Sequence, residues 1–217
     1  MKTKMILILV LLLLPYAQPV RAREVEQNVY LPLVVNTHEQ HIFATGDSKS
    51  IGYVSNLLDI LPGEWKIDTF PRSGATTAEF ITTMNVDILN ANFVPNYILI
   101  NLGANDVNWQ YMSEETIKTA YAYILDTYHI VWPSAWIGIM QIWRRGCDTN
   151  SDLYNAWITD VIASRPWVHL GPDERIFLAN GDNGITYTVD GIHPNTAGWV
   201  LTAEEWAQIL EQVQPQY

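Results

Sequence analysis

Short apolar runs alternate with longer stretches of helical periodicity from residue 42 to the end of the chain. The runs are four to eight residues long and mostly apolar, which is typical of strands that are covered on both faces. This alternation predicts an α/β fold: a three-layer α/β/α sandwich with a central parallel sheet of about five strands. The predicted strands are Ile42 to Thr45, Lys66 to Phe70, Tyr97 to Leu102, Ala135 to Ile142 and Trp167 to Leu170.

Helical patterns occupy the segments between and after these strands. Ser113, followed by two glutamates, favours a helix start, because its hydroxyl can accept a free backbone N–H and acids suit the positive helix end. Trp199 and Trp206 are seven residues apart, so both should lie on one face of the last helix and pack in the core. The predicted helices cover about 50 to 61, 76 to 90, 114 to 131, 150 to 164 and 195 to 213.

The first 22 residues have the pattern of a secretory signal peptide. Two lysines precede an unbroken run of ten apolar residues, Met5 to Leu14, and the segment ends Val20-Arg21-Ala22. A membrane-spanning helix needs roughly 20 apolar residues, so an uncleaved anchor is the weaker interpretation. We expect cleavage near Ala22 and a secreted, periplasmic or extracellular protein.

The remaining chain is expected to form one domain. Residues 23–41 carry mixed charge around the apolar stretch Tyr30 to Val35, which predicts a linker or an added edge strand. Residues 42–217 show no internal repeat and no change of composition, and their length suits a single domain. Nothing in the sequence decides the oligomeric state, and a monomer is the default expectation.

The charge of the chain narrows the choice of partners. The formal charge is −11, and removal of residues 1–22 takes away three cations and no acid, which makes it −14. An acidic protein repels phosphate backbones and anionic headgroups, so nucleic acid and membrane surfaces are not expected partners. A small or polysaccharide substrate of neutral or cationic character is favoured instead.

No metal and no other cofactor is predicted. The five histidines, at positions 38, 41, 129, 169 and 193, form no recognisable ligand spacing. Cys147 is the only cysteine, which excludes an internal disulfide. It lies in a polar loop with no histidine nearby in sequence, so a catalytic thiol is disfavoured.

Candidate catalytic residues follow the predicted strands, where open α/β sheets bind their ligands. The first strand leads into Gly46-Asp47-Ser48, which would place Ser48 at a helix N-terminus. Gly74 follows the second strand and can bring a backbone N–H close to a substrate, and Asn105 follows the third and offers an amide donor. Acyl transfer needs a nucleophile and two or three such donors for the oxyanion, so Ser48 N–H, Gly74 N–H and Asn105 Nδ2 are candidates.

A base and its orienting acid are available beyond the fifth strand. A turn in Asp190-Gly191-Ile192-His193 can bring the carboxylate onto the imidazole, which would then accept the seryl proton. Alone, this segment would be interpreted as an ordinary Asp-Gly turn before a helix. Together with Ser48, Gly74 and Asn105 it predicts a serine hydrolase.

These four blocks, Gly46-Asp47-Ser48, Gly74, Gly103-Ala104-Asn105-Asp106 and Asp190 to Pro194, resemble those of the SGNH/GDSL hydrolase family and occur in the family's order. The resemblance implies a flavodoxin-like fold and a serine esterase that needs no metal or cofactor. It implies Ser48 as nucleophile and oxyanion donor, and Gly74 and Asn105 as further donors. Lys49 replaces the leucine that often follows the family's serine, and this residue type is compatible with a surface position.

Two other assignments are weighed against this one. The Gly-x-Ser-x-Gly elbow of α/β-hydrolases is not met, because position 50 is serine. Asp47 and Asp106 each adjoin a candidate catalytic residue, but Asp190 has the better spacing to serve as the acid. We therefore predict structural roles for Asp47 and Asp106.

The sequence says less about the substrate. Trp109, Tyr111, Trp143 and Arg145 follow the third and fourth strands, so we expect them on the rim of the site, where aromatic faces can stack on sugars. Equally, the tryptophans could close loops over the core, and Arg144 or Arg145 could pair with an acid. No long apolar lid is visible, which favours release of small acyl groups, such as acetyl, from carbohydrate. The alternatives are a lipase, lysophospholipase or arylesterase, and a non-catalytic glycan-binding module on the same fold.

Overall fold

A computed structural model describes residues 39–108, 113–179 and 182–213. Within these ranges five strands form one parallel sheet in the order β2-β1-β3-β4-β5. The predictions for the signal peptide, for Tyr30 to Val35, and for Trp109 and Tyr111 lie outside the described residues. The strands are β1 (Gln40–Gly46), β2 (Trp65–Pro71), β3 (Tyr97–Asn101), β4 (Trp136–Gln141) and β5 (Val168–Asp173).

The predicted sheet is confirmed in strand number and direction, and each strand lies within a few residues of its expected place. The central strand β3 is wholly buried because helices cover both faces of the sheet, and its apolar run is accordingly continuous. The edge strand β2 is half-buried along most of its length. The three-layer α/β/α architecture expected from the sequence is therefore the architecture observed.

Helices from two groups cover the sheet. α1 packs against α6, whereas α4 packs against both α2 and α5. None of the helices in the described ranges is long and apolar enough to cross a bilayer. The helices are α1 (Val54–Ile60), α2 (Thr77–Phe80), α3 (Met84–Asn90), α4 (Glu114–Val131), α5 (Asp148–Ile162) and α6 (Thr196–Gln212).

The helix predicted over 76–90 is broken into α2 and α3. Thr82 and Thr83 lie at the break, and their hydroxyls donate to the carbonyls of Glu79 and Phe80 at 2.7 and 3.2 Å. Such local bonds compete with helical ones, and β-branched side chains add to the effect. By contrast, α4 has the predicted bounds, and the Ser113 hydroxyl caps it by accepting from Thr116 N–H at 3.2 Å.

The tryptophans of α6 pack as expected. Trp206 is fully buried, and Trp199 is half-buried against the core. Gly52 lies directly against the Trp199 ring, where a Cβ would come within 2.2 Å of it. A small residue at position 52 therefore lets α6 pack close to the chain segment that carries the nucleophile turn.

Candidate active site

Ser48 lies in the turn that follows β1. The strand ends at Gly46, whose φ of +134° and contact with the Asn101 carbonyl leave no room for a Cβ. Residues Ser48–Ser50 then form one turn of 3-10 helix, capped by the side chain of Asp47. This turn presents a half-buried Ser48 side chain at the carboxyl edge of the sheet.

Asp47 joins the nucleophile turn to the loop after β3. One carboxylate oxygen accepts from Lys49 N–H at 3.0 Å, and the other accepts from the N–H groups of Gly103 and Ala104 at 3.2 and 3.1 Å. Burial raises the pKa of this carboxyl, and the Lys49 charge and the three N–H groups act in the opposite direction. Its direct hydrogen-bond partners are backbone groups, as a structural role requires.

Ser48, His193 and Asp190 form one hydrogen-bonded chain. Ser48 Oγ lies 2.9 Å from His193 Nε2, and His193 Nδ1 lies 2.8 Å from Asp190 Oδ2. Burial acts to raise the pKa of Asp190, but hydrogen bonds from the backbone and side chain of His193 and from Ile192 N–H outweigh it and lower the pKa to about 2. The carboxylate is ionised at neutral pH, so the imidazole must donate from Nδ1 and can accept at Nε2.

The loop that carries Asp190 and His193 is closed by its own backbone. The second oxygen of Asp190 accepts from Ile192 and His193 N–H at 2.9 and 2.8 Å. Val189 N–H donates to the His193 carbonyl at 2.9 Å, and Gly191 allows the turn with a φ of +86°. These hydrogen bonds fix the conformation of the loop, and the loop in turn orients the imidazole of His193.

The candidate oxyanion donors lie on neighbouring loops. Arg72 N–H donates to the Gly46 carbonyl at 2.8 Å, which brings the Gly74 loop beside the nucleophile turn. Asn105 Nδ2 donates to the Ala75 carbonyl at 3.0 Å, which joins the Asn105 loop to the same place and leaves a second amide hydrogen. Within the described chain, the N–H groups of Ser48 and Gly74 have no hydrogen-bond partner.

A family comparison identifies the chain. The model of the GDSL-like lipase/acylhydrolase family matches residues 40–199, which is well over half of the sequence. The chain belongs to this family. The predicted resemblance is thereby confirmed, and a hydrolase of the esterase type is the activity that the family supports.

Solved structures share the fold of this family member at low sequence identity. A lipase/acylhydrolase from Enterococcus faecalis matches with a TM-score of 0.65 and 15% identity, over 82% of this chain and 99% of the other. A psychrotrophic esterase from Pseudoalteromonas sp. matches with a TM-score of 0.64 and 20% identity, over 80% and 97%.

A family two carbohydrate esterase from Clostridium thermocellum, an active-site mutant in complex with "celluohexase", also matches. Its TM-score is 0.63 at 17% identity, over 80% of this chain and 63% of that longer chain. No curated protein matches the sequence significantly.

Asp106 of this GDSL-like hydrolase anchors the start of α2. Its carboxylate accepts from the N–H and the hydroxyl of Thr77 at 3.0 Å, and the same hydroxyl lies 2.7 Å from the Tyr154 hydroxyl. Burial raises the pKa of Asp106 to about 7, against the effect of the Thr77 hydrogen bonds. Asp106 thus positions the helix that follows the Gly74 loop, which is a structural role.

Lys49 is buried, although a lysine after the nucleophile is also compatible with a surface position. Its side chain has no exposed area and forms an ion pair with Glu174, which is itself 1% exposed. The ammonium also donates to the Trp143 carbonyl at 3.4 Å. Lys49 follows the nucleophile directly, and the turn points its side chain into the interior of the protein. A charge is tolerated there only when it is paired.

Glu174 is a member of this cluster that the sequence reasoning did not single out. It follows β5 and accepts from Trp143 N–H at 3.0 Å with the oxygen that binds Lys49. Burial raises its pKa, which the Lys49 charge opposes. The available signal in the sequence was an acid directly after a predicted strand.

Trp143 is not on the substrate rim, and the alternative interpretation, a tryptophan that closes a loop over the core, is the arrangement observed. The residue is 1% exposed, and its indole N–H donates to Asp148 at 2.9 Å. Gly184 packs on the ring, where a Cβ would come within 2.5 Å. The chain after β4 turns this large apolar side chain into the core, where it packs against Gly184 in the segment that precedes the loop of His193. The ring is therefore not accessible to a sugar.

Arg144 and Arg145 do lie beside the site. Arg144 donates to the Ala104 carbonyl at 3.2 Å, next to Asn105. Arg145 donates its backbone N–H to the Gly191 carbonyl at 2.9 Å, and its side chain lies against Gly191. Both residues are half-buried at the edge of the sheet that carries the nucleophile.

Proposed function

We propose that this protein is a carboxylic ester hydrolase that works through an acyl-enzyme on Ser48. The observation that carries the proposal is the continuous hydrogen-bond chain from Ser48 Oγ through His193 to the ionised Asp190. A serine hydroxyl is a weak nucleophile, and an adjacent base that accepts its proton activates it. Nε2 of His193 is positioned for that role.

The proposed reaction has two steps. Ser48 Oγ attacks the ester carbonyl while its proton passes to His193, and Asp190 stabilises the imidazolium. The tetrahedral oxyanion receives hydrogen bonds from Ser48 N–H, Gly74 N–H and Asn105 Nδ2. The two N–H groups have no other partner within the described chain, and the Asn105 amide has one hydrogen that is not donated to Ala75. His193 then returns the proton to the departing alcohol, and a water activated by the same imidazole hydrolyses the acyl-enzyme.

The first test is hydrolysis of p-nitrophenyl acetate by the wild type and by Ser48→Ala. We expect turnover to fall at least about 10⁴-fold in the variant, because the oxyanion donors alone supply only the residual rate. Circular dichroism should show that both proteins are folded. Equal rates in the two proteins would exclude Ser48 as nucleophile, and absence of turnover in both would favour a non-catalytic glycan-binding module.

For the substrate, we propose release of small acyl groups such as acetyl from carbohydrate. The proposal is supported by a carbohydrate esterase among the structures that share the fold. One observation favours the second candidate, an esterase for apolar or lipid substrates: Val189 and Ile185, on the segment that leads to Asp190, are 75% and 70% exposed.

A chain-length series distinguishes these two candidates. Rates on p-nitrophenyl esters from acetyl to palmitoyl should fall with acyl length, and acetate should be released from acetylated xylan. A maximum at long acyl chains that decreases in Val189→Ser would favour the lipid candidate. Secretion is likewise a proposal, which N-terminal sequencing of exported protein from cells that express the full chain would test.

A further inference from the structure

The positively charged side chains of the described residues are paired with acids, with two exceptions. The chain carries 23 acidic residues against 12 basic ones, so a cation readily finds a partner. Six of the eight described lysines and arginines form an ion pair with a carboxylate. The six are Lys49, Lys66, Arg72, Lys118, Arg165 and Arg175.

Arg144 and Arg145 are the two exceptions. Neither guanidinium forms an ion pair with a carboxylate of residues 39–108, 113–179 or 182–213. In an acidic protein, two adjacent arginines with no acidic partner among the described residues are a feature that needs a reason.

The position of Arg144 and Arg145 in the structure suggests a reason for their lack of an acidic partner among the described residues. Arg144 donates to Ala104, the neighbour of the oxyanion candidate Asn105, and Arg145 lies against Gly191 in the loop of Asp190 and His193. A guanidinium has five N–H donors, and the Ala104 carbonyl occupies one of those of Arg144. The remaining donors belong to half-buried residues at the carboxyl edge of the sheet, and they suit a planar or tetrahedral anion, which arginine binds with two parallel hydrogen bonds.

We propose that Arg144 and Arg145 bind an anionic group, a carboxylate or a phosphate, in the alcohol part of the ester substrate. This inference rests on the proposed ester hydrolysis at Ser48. The alcohol part is assigned because Arg145 contacts the loop of His193, the group that returns the proton to the leaving alcohol.

The inference changes the expectation of a neutral or cationic substrate. Net charge acts over long range and is screened beyond about 8 Å at physiological ionic strength. At contact distance, a bound group interacts directly with the guanidinium groups of Arg144 and Arg145, which have no carboxylate partner among the described residues. An anionic group can therefore be bound at this site although the protein as a whole is acidic.

Three acetate esters of meta-substituted phenols test the proposal. They are 3-acetoxybenzoate, 3-acetoxyphenyl phosphate and the neutral 3-acetoxybenzamide, which share the scissile bond and differ in charge. We expect kcat/KM to be about 10- to 100-fold higher for at least one charged ester than for the amide, as hydrogen bonds to charged groups imply. The faster of the two charged esters identifies the anion, and the preference should shrink as salt is added.

Variants assign the preference to the arginines. The ratio of kcat/KM for charged and neutral esters should fall about tenfold in Arg145→Gln and further in the Arg144→Gln/Arg145→Gln double variant. Arg145→Lys keeps the charge and should keep most of the ratio. Arg165→Gln is the matched control, because it removes the same charge from an arginine that pairs with Asp126 before β5, at the opposite edge of the sheet.

The outcomes separate this inference from the one on which it rests. Equal kcat/KM for the three esters, with turnover still dependent on Ser48, would overturn anion binding and leave ester hydrolysis standing. A preference that survives in the Arg144→Gln/Arg145→Gln variant, or that falls equally in Arg165→Gln, would also overturn it. Turnover of all three esters that is unchanged in Ser48→Ala would instead overturn the proposed function.

Discussion

The buried ion pair beneath the nucleophile turn permits a quantitative test by removal of one charge at a time. Lys49→Met keeps the length of the side chain and removes its charge. Glu174 would then remain buried, with Trp143 N–H as its remaining donor at 3.0 Å and with one oxygen that has no partner among the described residues. Leaving one member of a buried pair without its partner costs about 3 to 5 kcal/mol.

The expected loss is large on the scale of protein stability, since a domain is typically stable by about 5 to 15 kcal/mol. It should also depend on pH. Without Lys49 the pKa of Glu174 rises further, because burial is then opposed only by the Trp143 hydrogen bond. A carboxyl with a raised pKa contributes stability in acid that is lost as the pH rises, so Lys49→Met should regain stability as the pH falls.

The double variant Lys49→Met/Glu174→Gln removes both charges and keeps an acceptor for Trp143 N–H. Replacing a buried pair by uncharged groups is often neutral, so most of the loss should be recovered, with a coupling of about 2 kcal/mol or more. Urea unfolding followed by tryptophan fluorescence gives the free energies, and an unchanged m-value shows that they are comparable.

Lys118→Met is the matched control. Lys118 also forms ion pairs, with Glu114 and Asp160, but at the surface, so the same substitution should have little effect. Two results would refute the view that Lys49 and Glu174 form a coupled, buried pair. One is a free energy of unfolding of Lys49→Met equal to that of the wild type, and the other is a double variant that is less stable than both single variants.

Further predictions concern the site itself. Asp190→Asn should lower kcat by about 10⁴-fold on p-nitrophenyl acetate, because an amide does not select the Nδ1–H tautomer of His193; wild-type turnover would contradict this. Asn105→Ala should lower kcat by about 10²- to 10³-fold with little change in KM, and a change in KM alone would remove Asn105 from the oxyanion site. Burial raises the pKa of Asp106 to about 7, so its contribution to stability is present in acid and lost as the pH rises through about 7. Asp106→Asn should therefore flatten the unfolding free energy between about pH 4 and pH 8, and an unchanged slope would show that burial does not set this pKa.

The strands and the order of the catalytic blocks were predictable for a physical reason. A strand covered on both faces needs a continuous apolar run, and β3 and β4 have such runs. In a parallel sheet the residues that follow the strands meet at one edge, so the sequence alone places Ser48 and Asn105 together. Asp190 and His193 are three residues apart, and a turn is enough to bring them into contact.

The break between α2 and α3 was not predicted, because apolar periodicity continues across it. The threonines at the break have hydroxyls that bond the preceding turn, and this local competition outweighs the periodic signal. Trp109 and Tyr111 remain predictions as members of the substrate rim.

The depth of individual side chains was decided only by the tertiary structure. Lys49 and Glu174 are 125 residues apart, and each is buried only because the other neutralises it. The sequence left Trp143 equally suited to the rim and to the core, and the direction of the turn after β4 places it in the core. Local patterns therefore determined the sheet, the nucleophile turn and the Asp190–His193 loop. Contacts between distant segments determined which charges are buried in pairs. They also determined that Arg144 and Arg145 lie against Ala104 and Gly191 with no acidic partner among the described residues, because burial and pairing depend on neighbours that no local pattern specifies.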